Sequence, residues 1–148
     1  MRQLLFGSYY LLPHAAIVDP RMTLTLPPHI TAATAMDAMA HAVESTVMLA
    51  KNPISDAHAY QAMSIIARQL PKVLKNTADK QGRLGLATAA TMAGIAFSNA
   101  SVALVHGMSR PIGAFFHVPH GLSNAMLLPA VTAWSIPAAP GRYADCAR

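Results

Sequence analysis

Residues 84–109, with the sequence LGLATAATMAGIAFSNASVALVHGMS, contain no formally charged residue. A stretch of this length is either a membrane span or a set of helices buried in a protein core. Its interior carries hydroxyl, amide and imidazole side chains, and the pair Ser98-Asn99 indicates a break. We therefore predict two buried, alanine-rich helices at about residues 83–97 and 101–109, and we keep a small membrane protein as an alternative.

The composition also favours a protein with much buried surface. Hydrophobic residues make up 53% of the chain and charged residues 11%, whereas globular domains average about 45–50% and about 25%. This balance argues against a disordered chain. A chain of 148 residues can bury a sizeable core of its own, and a partner surface or a further domain is another way to cover apolar side chains.

Charge and cysteine content narrow the class of function. The formal net charge is +5, but the basic residues are scattered, and one loose group lacks interleaved aromatic residues: Lys72, Lys75, Lys80 and Arg83. Such a group is typical of a solvated face rather than of a nucleic-acid site. The single cysteine, Cys146, excludes an internal disulfide framework and fits a reducing, cytoplasmic environment.

The first part of the chain reads as extended. The run AAIVD at residues 15–19 is rich in strand-forming residues and lies between Pro13 and Pro20, so we predict a strand there. Pro27 and Pro28 favour an extended connector before the next element, because a residue that precedes proline avoids helical geometry. A lone strand must pair with something, which suggests that residues 1–27 are the end of another domain.

Helical patterns follow from residue 28 onward. We predict a helix at about 30–50 and a second one that starts at Ser55 or Asp56 and is kinked or ended by Pro71. The segment RPIGAFFHVPHG predicts a turn or loop, and the helix after it is predicted to be interrupted by Pro129. The final residues, PGRYADCAR, open another helix. The fold class is therefore mainly α, a multi-helix domain at 28–148 preceded by a short extended segment or strand.

The stretch DAMAHAVE places Asp37 and His41 four residues apart in a run of uncharged side chains. Residues with this spacing lie on one face of a helix, so the carboxylate and the imidazole can bind one ion together. An ordinary pair on a helix surface has the same spacing, so these residues alone do not distinguish a metal site from a surface pair.

Two later histidines extend the pattern. His106 lies at the end of an uncharged segment and His120 lies between Pro119 and a glycine, and each is followed by a glycine that lets backbone come close. The alternative interpretation is that each is a core histidine whose ring nitrogens are hydrogen-bonded within the protein. Together with the earlier pair, however, they offer one oxygen and three nitrogens, which suit iron(II) or zinc better than calcium or magnesium.

Three long motifs, AAIVDPRMTLTLPP, DAMAHAVE and AGIAFSNASVALVHGMSRPIGAFFHVPHGLSNAMLLP, closely resemble the iron-containing (group III) alcohol dehydrogenases, over roughly residues 13–148. The resemblance implies that the catalytic metal, Fe²⁺ or Zn²⁺, is held by Asp37, His41, His106 and His120. It also implies two domains, an α/β nucleotide-binding domain of which residues 1–27 are a remnant, and an all-helical metal-binding domain at 28–148. On this interpretation the chain is truncated at both ends.

The resemblance further implies oxidation of a small alcohol, or reduction of an aldehyde, with NAD or NADP. It implies a cytoplasmic enzyme, which fits a homodimer. We expect neither nucleic acid nor membrane as a partner. The eight glycines contain no G-x-G-x-x-G, so we identify no cofactor-binding residue and expect the chain alone to be inactive. No catalytic residue beyond the metal ligands is identified. The alternative is a non-catalytic helical interaction module that keeps a structural or vestigial metal site.

One position departs from the family pattern. Many members carry a second histidine four residues after the histidine of V-H-G, where this chain has Arg110. Arginine stays charged and cannot shuttle a proton. Either Arg110 orients substrate or a phosphate, or the proton path runs elsewhere. His117, three residues before His120, is a candidate partner of the metal ligands, although a surface loop histidine has the same sequence context.

Overall fold

The computed structural model describes residues 8–11 and 13–148. Six α-helices form within that part, which confirms the mainly helical class: α1 (Pro28–Val47), α2 (Pro53–Lys75), α3 (Lys80–Ala100), α4 (Leu104–Phe116), α5 (His120–Ser135) and α6 (Pro140–Cys146). Short 3-10 turns lie at Tyr9–Leu11, Pro20–Thr23 and Ile136–Ala138.

The predicted strand at 15–19 is wrong. No strand occurs among the residues that the structure describes, and the segment has no regular hydrogen bonding there. A strand needs a neighbour to satisfy its backbone, whereas Ile17 is 93% exposed. Asp19 instead caps the turn after it, because its carboxylate accepts a hydrogen bond from the Arg21 backbone N–H at 2.9 Å. Residues 1–7 and 12 of the proposed remnant at 1–27 lie outside the described residues.

α1 is the central helix. It packs against α2 and α3 on one side and against α4 and α5 on the other. Small side chains recur every three or four residues where the first three helices meet, which lets their backbones approach closely. We call this apolar group of buried side chains the alanine core: Ala35, Ala38, Ala42, Ala59, Ala62, Met63, Ile66, Ala89, Ala93 and Ala96.

Three prolines lie inside helices, namely Pro71 in α2, Pro111 in α4 and Pro129 in α5. We expected Pro71 and Pro129 to kink or interrupt their helices and Pro111 to lie in a loop. Each proline removes one hydrogen bond to the carbonyl four residues earlier. All three prolines are exposed, and the residues at 67 and 107 that carry two of those carbonyls are exposed as well, so water can satisfy them. The predicted loop at 110–121 therefore shrinks to residues 117–119.

Helix boundaries differ from the prediction in two other places. α2 begins earlier than expected because Asn52 is its cap: the Asn52 side chain accepts from the backbone N–H groups of Ile54 and Ser55, and the Ser55 hydroxyl accepts from the Asn52 N–H at 2.9 Å. α3 continues through Ser98 and Asn99 to Ala100. The opening of a last helix at the end of the chain is confirmed as α6.

Arg83 does not belong to a solvated basic face, contrary to the prediction. Its side chain is buried, 2% exposed, and its guanidinium donates to the carbonyl oxygens of Thr77 at 2.6 Å and Leu26 at 3.2 Å. It also lies 3.4 Å from the Thr31 hydroxyl. A buried charge is tolerated when such acceptors surround it. Arg83 therefore ties the connector before α1 to the start of α3.

No single helix in the described part of the chain is long and apolar enough to cross a bilayer. α3 and α4 meet that criterion together, by length and composition only, and they are bent by 106° relative to each other.

Candidate metal centre

The side of α1 that faces α4 and α5 carries polar residues. Asp37, His41 and Glu44 recur at helical spacing on α1, and His106 on α4 and His120 and Asn124 on α5 lie opposite them. We call these six residues the polar cluster. Buried carboxylates, imidazoles and amides are expensive unless they pair or bind an ion, so their concentration at one place marks a site.

The four predicted ligand residues come together in the structure. One ligand atom each from Asp37, His41 and His106 lie within 4.8 Å of one another. The Nε2 atoms of His106 and His120 lie 3.4 Å and 3.6 Å from Asp37 Oδ1. These side chains are remote along the chain, and only the packing of α1 against α4 and α5 joins them. That they bind a metal stays a prediction.

The His41 ring is held between two other rings. Its centroid lies 4.3 Å from the ring of Phe97 on α3 and 4.3 Å from that of His106, and both pairs are stacked. The His106 and His120 rings are tilted by 57° at 5.3 Å. Stacking restricts the orientation of the His41 imidazole, so its nitrogen lone pair keeps a defined direction.

The two glycines that follow His106 and His120 differ in role. A Cβ at Gly121 would overlap the backbone carbonyl of Ala33 on α1. The missing side chain therefore allows the close approach of α5 that brings His120 to Asp37. At Gly107 a Cβ would meet nothing within 4 Å, so the expectation that this glycine permits a close backbone contact is wrong.

Two members of the polar cluster were not assigned a role from the sequence. Glu44 is 3% exposed and lies 2.5 Å from His106 Nδ1. Asn124 is fully buried, and its Nδ2 donates to Asp37 Oδ1 at 2.5 Å and lies 3.0 Å from His106 Nε2 and 3.1 Å from His120 Nε2. The available signals were Glu44 three residues after His41 and Asn124 four after His120, which places each on the same helix face as a candidate ligand.

The electrostatics of the polar cluster favour a positive charge at its centre. Burial lowers the pKa of His106, but hydrogen bonds to Asp37 and Glu44 outweigh burial and raise it to about 9. Burial raises the pKa of Asp37, but its hydrogen bond to His106 and the neighbouring imidazoles bring it below its usual value. Two carboxylates around one imidazole thus stabilise a cation there.

The other two imidazoles are held neutral. Burial lowers the pKa of His41 to about 4, and it lowers the pKa of His120, where the charge of Arg110 acts in the same direction. A neutral imidazole offers its lone pair, which is the form that binds a divalent cation. The chemistry of the donors, one carboxylate oxygen and three imidazole nitrogens, fits iron(II) or zinc. The buried Oδ1 of Asn124 has no hydrogen-bond partner in the described part of the chain.

The polar cluster is closed on one side and open on the other. His106 is 3% exposed, whereas the side chains of Asp37 and His120 are 23% and 26% exposed. Arg110 is exposed on α4 and its charge reaches His120, so it lies beside the open side. His117 is exposed at the end of α4 with left-handed backbone angles, which favours a loop position over a role beside the ligands.

The chain is similar to known proteins over most of its length. The family model described as Fe-containing alcohol dehydrogenase family, C-terminal, matches residues 31–148. Long-chain-alcohol dehydrogenase 1 of Geobacillus thermodenitrificans is 46% identical over 136 residues, which cover 92% of this chain and 34% of that protein. 1,3-Propanediol dehydrogenase of Klebsiella pneumoniae is 41% identical over 140 residues, 95% of this chain and 36% of that protein.

A solved structure shares the fold. The iron-containing alcohol dehydrogenase from Thermococcus thioreducens superposes with a TM-score of 0.88 at 37% identity, over 95% of this chain and 37% of that one. The chain spans about a third of the length of the relatives it matches. It belongs to the iron-containing alcohol dehydrogenase family and corresponds to the C-terminal, all-helical domain of that family.

Proposed function

We propose that this chain forms the metal-binding part of an NAD(P)-dependent alcohol dehydrogenase, with Fe²⁺ or Zn²⁺ held by Asp37, His41, His106 and His120. The observation that carries the proposal is the convergence of these four side chains: ligand atoms of the first three lie within 4.8 Å of one another, and His120 Nε2 lies 3.6 Å from Asp37 Oδ1. The names of the matched dehydrogenases support the same chemistry.

The residues of the chain have separable tasks in this proposal. When bound, the metal supplies Lewis-acid chemistry that polarises the oxygen of a small alcohol or aldehyde for hydride exchange with the nicotinamide. His41 is fixed by stacking on Phe97. The partly exposed carboxylate of Asp37 and imidazole of His120 face the side from which a small substrate can enter.

The alternative function, a non-catalytic module with a structural or vestigial metal site, calls for ligands that are fully enclosed by protein. The exposure of about a quarter of the Asp37 and His120 side chains argues for the enzyme instead. The proposal includes residues 1–27 as the end of a nucleotide-binding domain, a cytoplasmic location and a homodimer. The free thiol of Cys146 is consistent with a reducing compartment.

The test is metal removal and replacement. In a full-length enzyme that joins this chain to a nucleotide-binding domain, we expect a strong chelator to abolish alcohol oxidation, and iron(II) or zinc to restore it. His106→Ala should weaken metal binding by more than about 100-fold, since the loss of an outer partner alone typically costs about 10–100-fold. Equilibrium dialysis against zinc measures the affinity directly.

His29→Ala is the matched control. His29 also lies on α1, but it is exposed and far from Asp37 along that helix. It should bind metal as the wild type does. Activity that survives both complete metal removal and His106→Ala would reject the proposal.

A further inference from the structure

Glu44 joins two elements through one buried carboxylate. It extends from α1 to the first turn of α4, where Oε1 accepts a hydrogen bond from the Val105 backbone N–H at 2.6 Å. Its other oxygen, Oε2, lies 2.5 Å from His106 Nδ1. The side chains of Glu44 and His106 are both 3% exposed, so water does not compete for these bonds.

The start of α4 depends on this contact. Its N-cap residue is Ala103, which has no side chain to accept from the first-turn N–H groups. Helices leave these donors unpaired unless another group accepts from them, and the positive end of the helix dipole favours a carboxylate. Glu44 supplies that carboxylate from a different helix, and it therefore fixes the backbone that carries His106.

The same carboxylate selects the His106 tautomer. An ionised carboxylate only accepts hydrogen bonds, so Nδ1 must carry a proton, and Nε2 is the nitrogen that can give up its proton and offer a lone pair to an ion. Nε2 is the nitrogen that faces the rest of the polar cluster, 3.4 Å from Asp37 Oδ1. The amide Nδ2 of Asn124 also lies 3.0 Å from this nitrogen.

We propose that Glu44 is the positioning residue for the metal ligand His106, holding the ring as the Nδ1–H tautomer and anchoring the first turn of α4 so that Nε2 points to the metal. This inference rests on the proposed metal binding. The buried partner of a metal-ligating histidine sets both its tautomer and its orientation, and in the described part of the chain Glu44 is the residue that hydrogen-bonds His106 Nδ1.

Glu44→Gln is the discriminating variant because it keeps the shape and changes the chemistry. Val105 N–H and His106 Nδ1–H are two donors, and the carboxylate offers two acceptors, whereas an amide offers one acceptor and one donor group. If the amide oxygen stays on Val105, the NH₂ group donates to Nδ1 and moves the ring proton to Nε2. If the amide turns over, two donors face each other at Val105.

We expect zinc affinity to fall about 10–100-fold in Glu44→Gln, measured by competition with a calibrated chelator. In the metal-stripped protein at a pH above the His106 pKa of about 9, where the ring is neutral, long-range ¹H–¹⁵N spectra of the labelled imidazoles should show the proton on Nδ1 in the wild type and on Nε2 in Glu44→Gln. A role limited to helix stability would not change this tautomer. Ser45→Ala is the control, since Ser45 is adjacent, 1% exposed, and its hydroxyl donates within α1 to Ala42 O at 2.8 Å.

Glu44→Asp keeps two acceptors on a shorter side chain, so it should retain the Nδ1–H tautomer. This variant tests the inference if Glu44→Gln does not fold. Wild-type zinc affinity together with an unchanged tautomer in Glu44→Gln would overturn the inference, as would an Nε2–H tautomer in Glu44→Asp. Failure of the wild-type protein to bind zinc is a different result, because it would reject the proposed function itself.

Discussion

The two faces of α1 are buried for opposite reasons. Ala35, Ala38 and Ala42 face α2 and α3 in the alanine core, whereas Asp37, His41 and Glu44 belong to the polar cluster against α4 and α5. The first face gains stability from close packing of small side chains. The second removes carboxylates and imidazoles from water, which is unfavourable unless each group finds a partner.

The difference predicts how each face responds to change. A well-packed apolar core loses stability in proportion to the volume removed and keeps the remaining contacts. In a polar cluster one lost partner leaves other buried groups unpaired, so the effect spreads through the network. Stability should therefore depend mainly on the alanine core, and metal affinity mainly on the polar cluster.

The largest expected effect on folding tests the first half of this comparison. Ile66 is 1% exposed within the alanine core, and Ile66→Ala should lower the free energy of unfolding by about 2–5 kcal/mol. Urea unfolding of the metal-free protein measures this change. Zinc affinity of the folded variant should equal that of the wild type, because Ile66 belongs to the alanine core and takes no part in the hydrogen bonds that link the polar cluster.

Ile54→Ala provides the matched control for Ile66→Ala. It is the same substitution on the same helix, but Ile54 is 68% exposed, so the free energy of unfolding should change by at most about 0.5 kcal/mol. A tenfold loss of zinc affinity in Ile66→Ala would show that the alanine core and the polar cluster do not act separately.

A smaller effect is expected where the two regions share a backbone contact. Gly121→Ala would push the added methyl group into the Ala33 carbonyl, and relief of that overlap should cost about 1–3 kcal/mol of unfolding free energy. Because α5 must move away from α1, His120 should move away from Asp37. Zinc affinity should fall by about tenfold or more, which chelator competition can measure.

Gly107→Ala is the control for the glycine experiment. Gly107 also follows a candidate ligand within a helix, yet an added Cβ would meet nothing within 4 Å there. Alanine in place of a helical glycine should raise the free energy of unfolding by about 0.4–1 kcal/mol with zinc affinity unchanged. Equal losses of affinity in both variants would contradict the role given to the Gly121–Ala33 approach.

Much of the architecture could be predicted from the sequence because local patterns determine it. Helical spacing of apolar residues gave α1 to α3 in outline, and the positions of the four candidate ligands came from spacing and from the family resemblance. The prolines misled the prediction. Pro111 was expected to lie in a loop and Pro129 to interrupt a helix. Whether a proline ends a helix depends on which side of the helix faces water, and that side is set by packing between distant segments.

Glu44 and Asn124 were not predicted for a related reason. Each lies at helical spacing from a candidate ligand, but the same spacing occurs on any helix. Their roles follow from partners that are remote along the chain, as in the bond from Asn124 to Asp37 and that from Val105 to Glu44. Arg83 is a similar case, since its acceptors at Leu26 and Thr77 lie in two different connecting segments.

The smallest expected effect concerns His117 and tests whether the polar cluster extends into the loop after α4. His117 has φ 57° and ψ 25° at the end of α4, a left-handed conformation that asparagine tolerates better than most residues. His117→Asn should therefore raise the free energy of unfolding by at most about 0.5 kcal/mol. Zinc affinity should not change, because His117 is exposed and lies outside the hydrogen bonds that link the ligands. A tenfold loss of zinc affinity, measured by the same chelator competition, would place the His117 imidazole beside the ligands and extend the polar cluster into the loop.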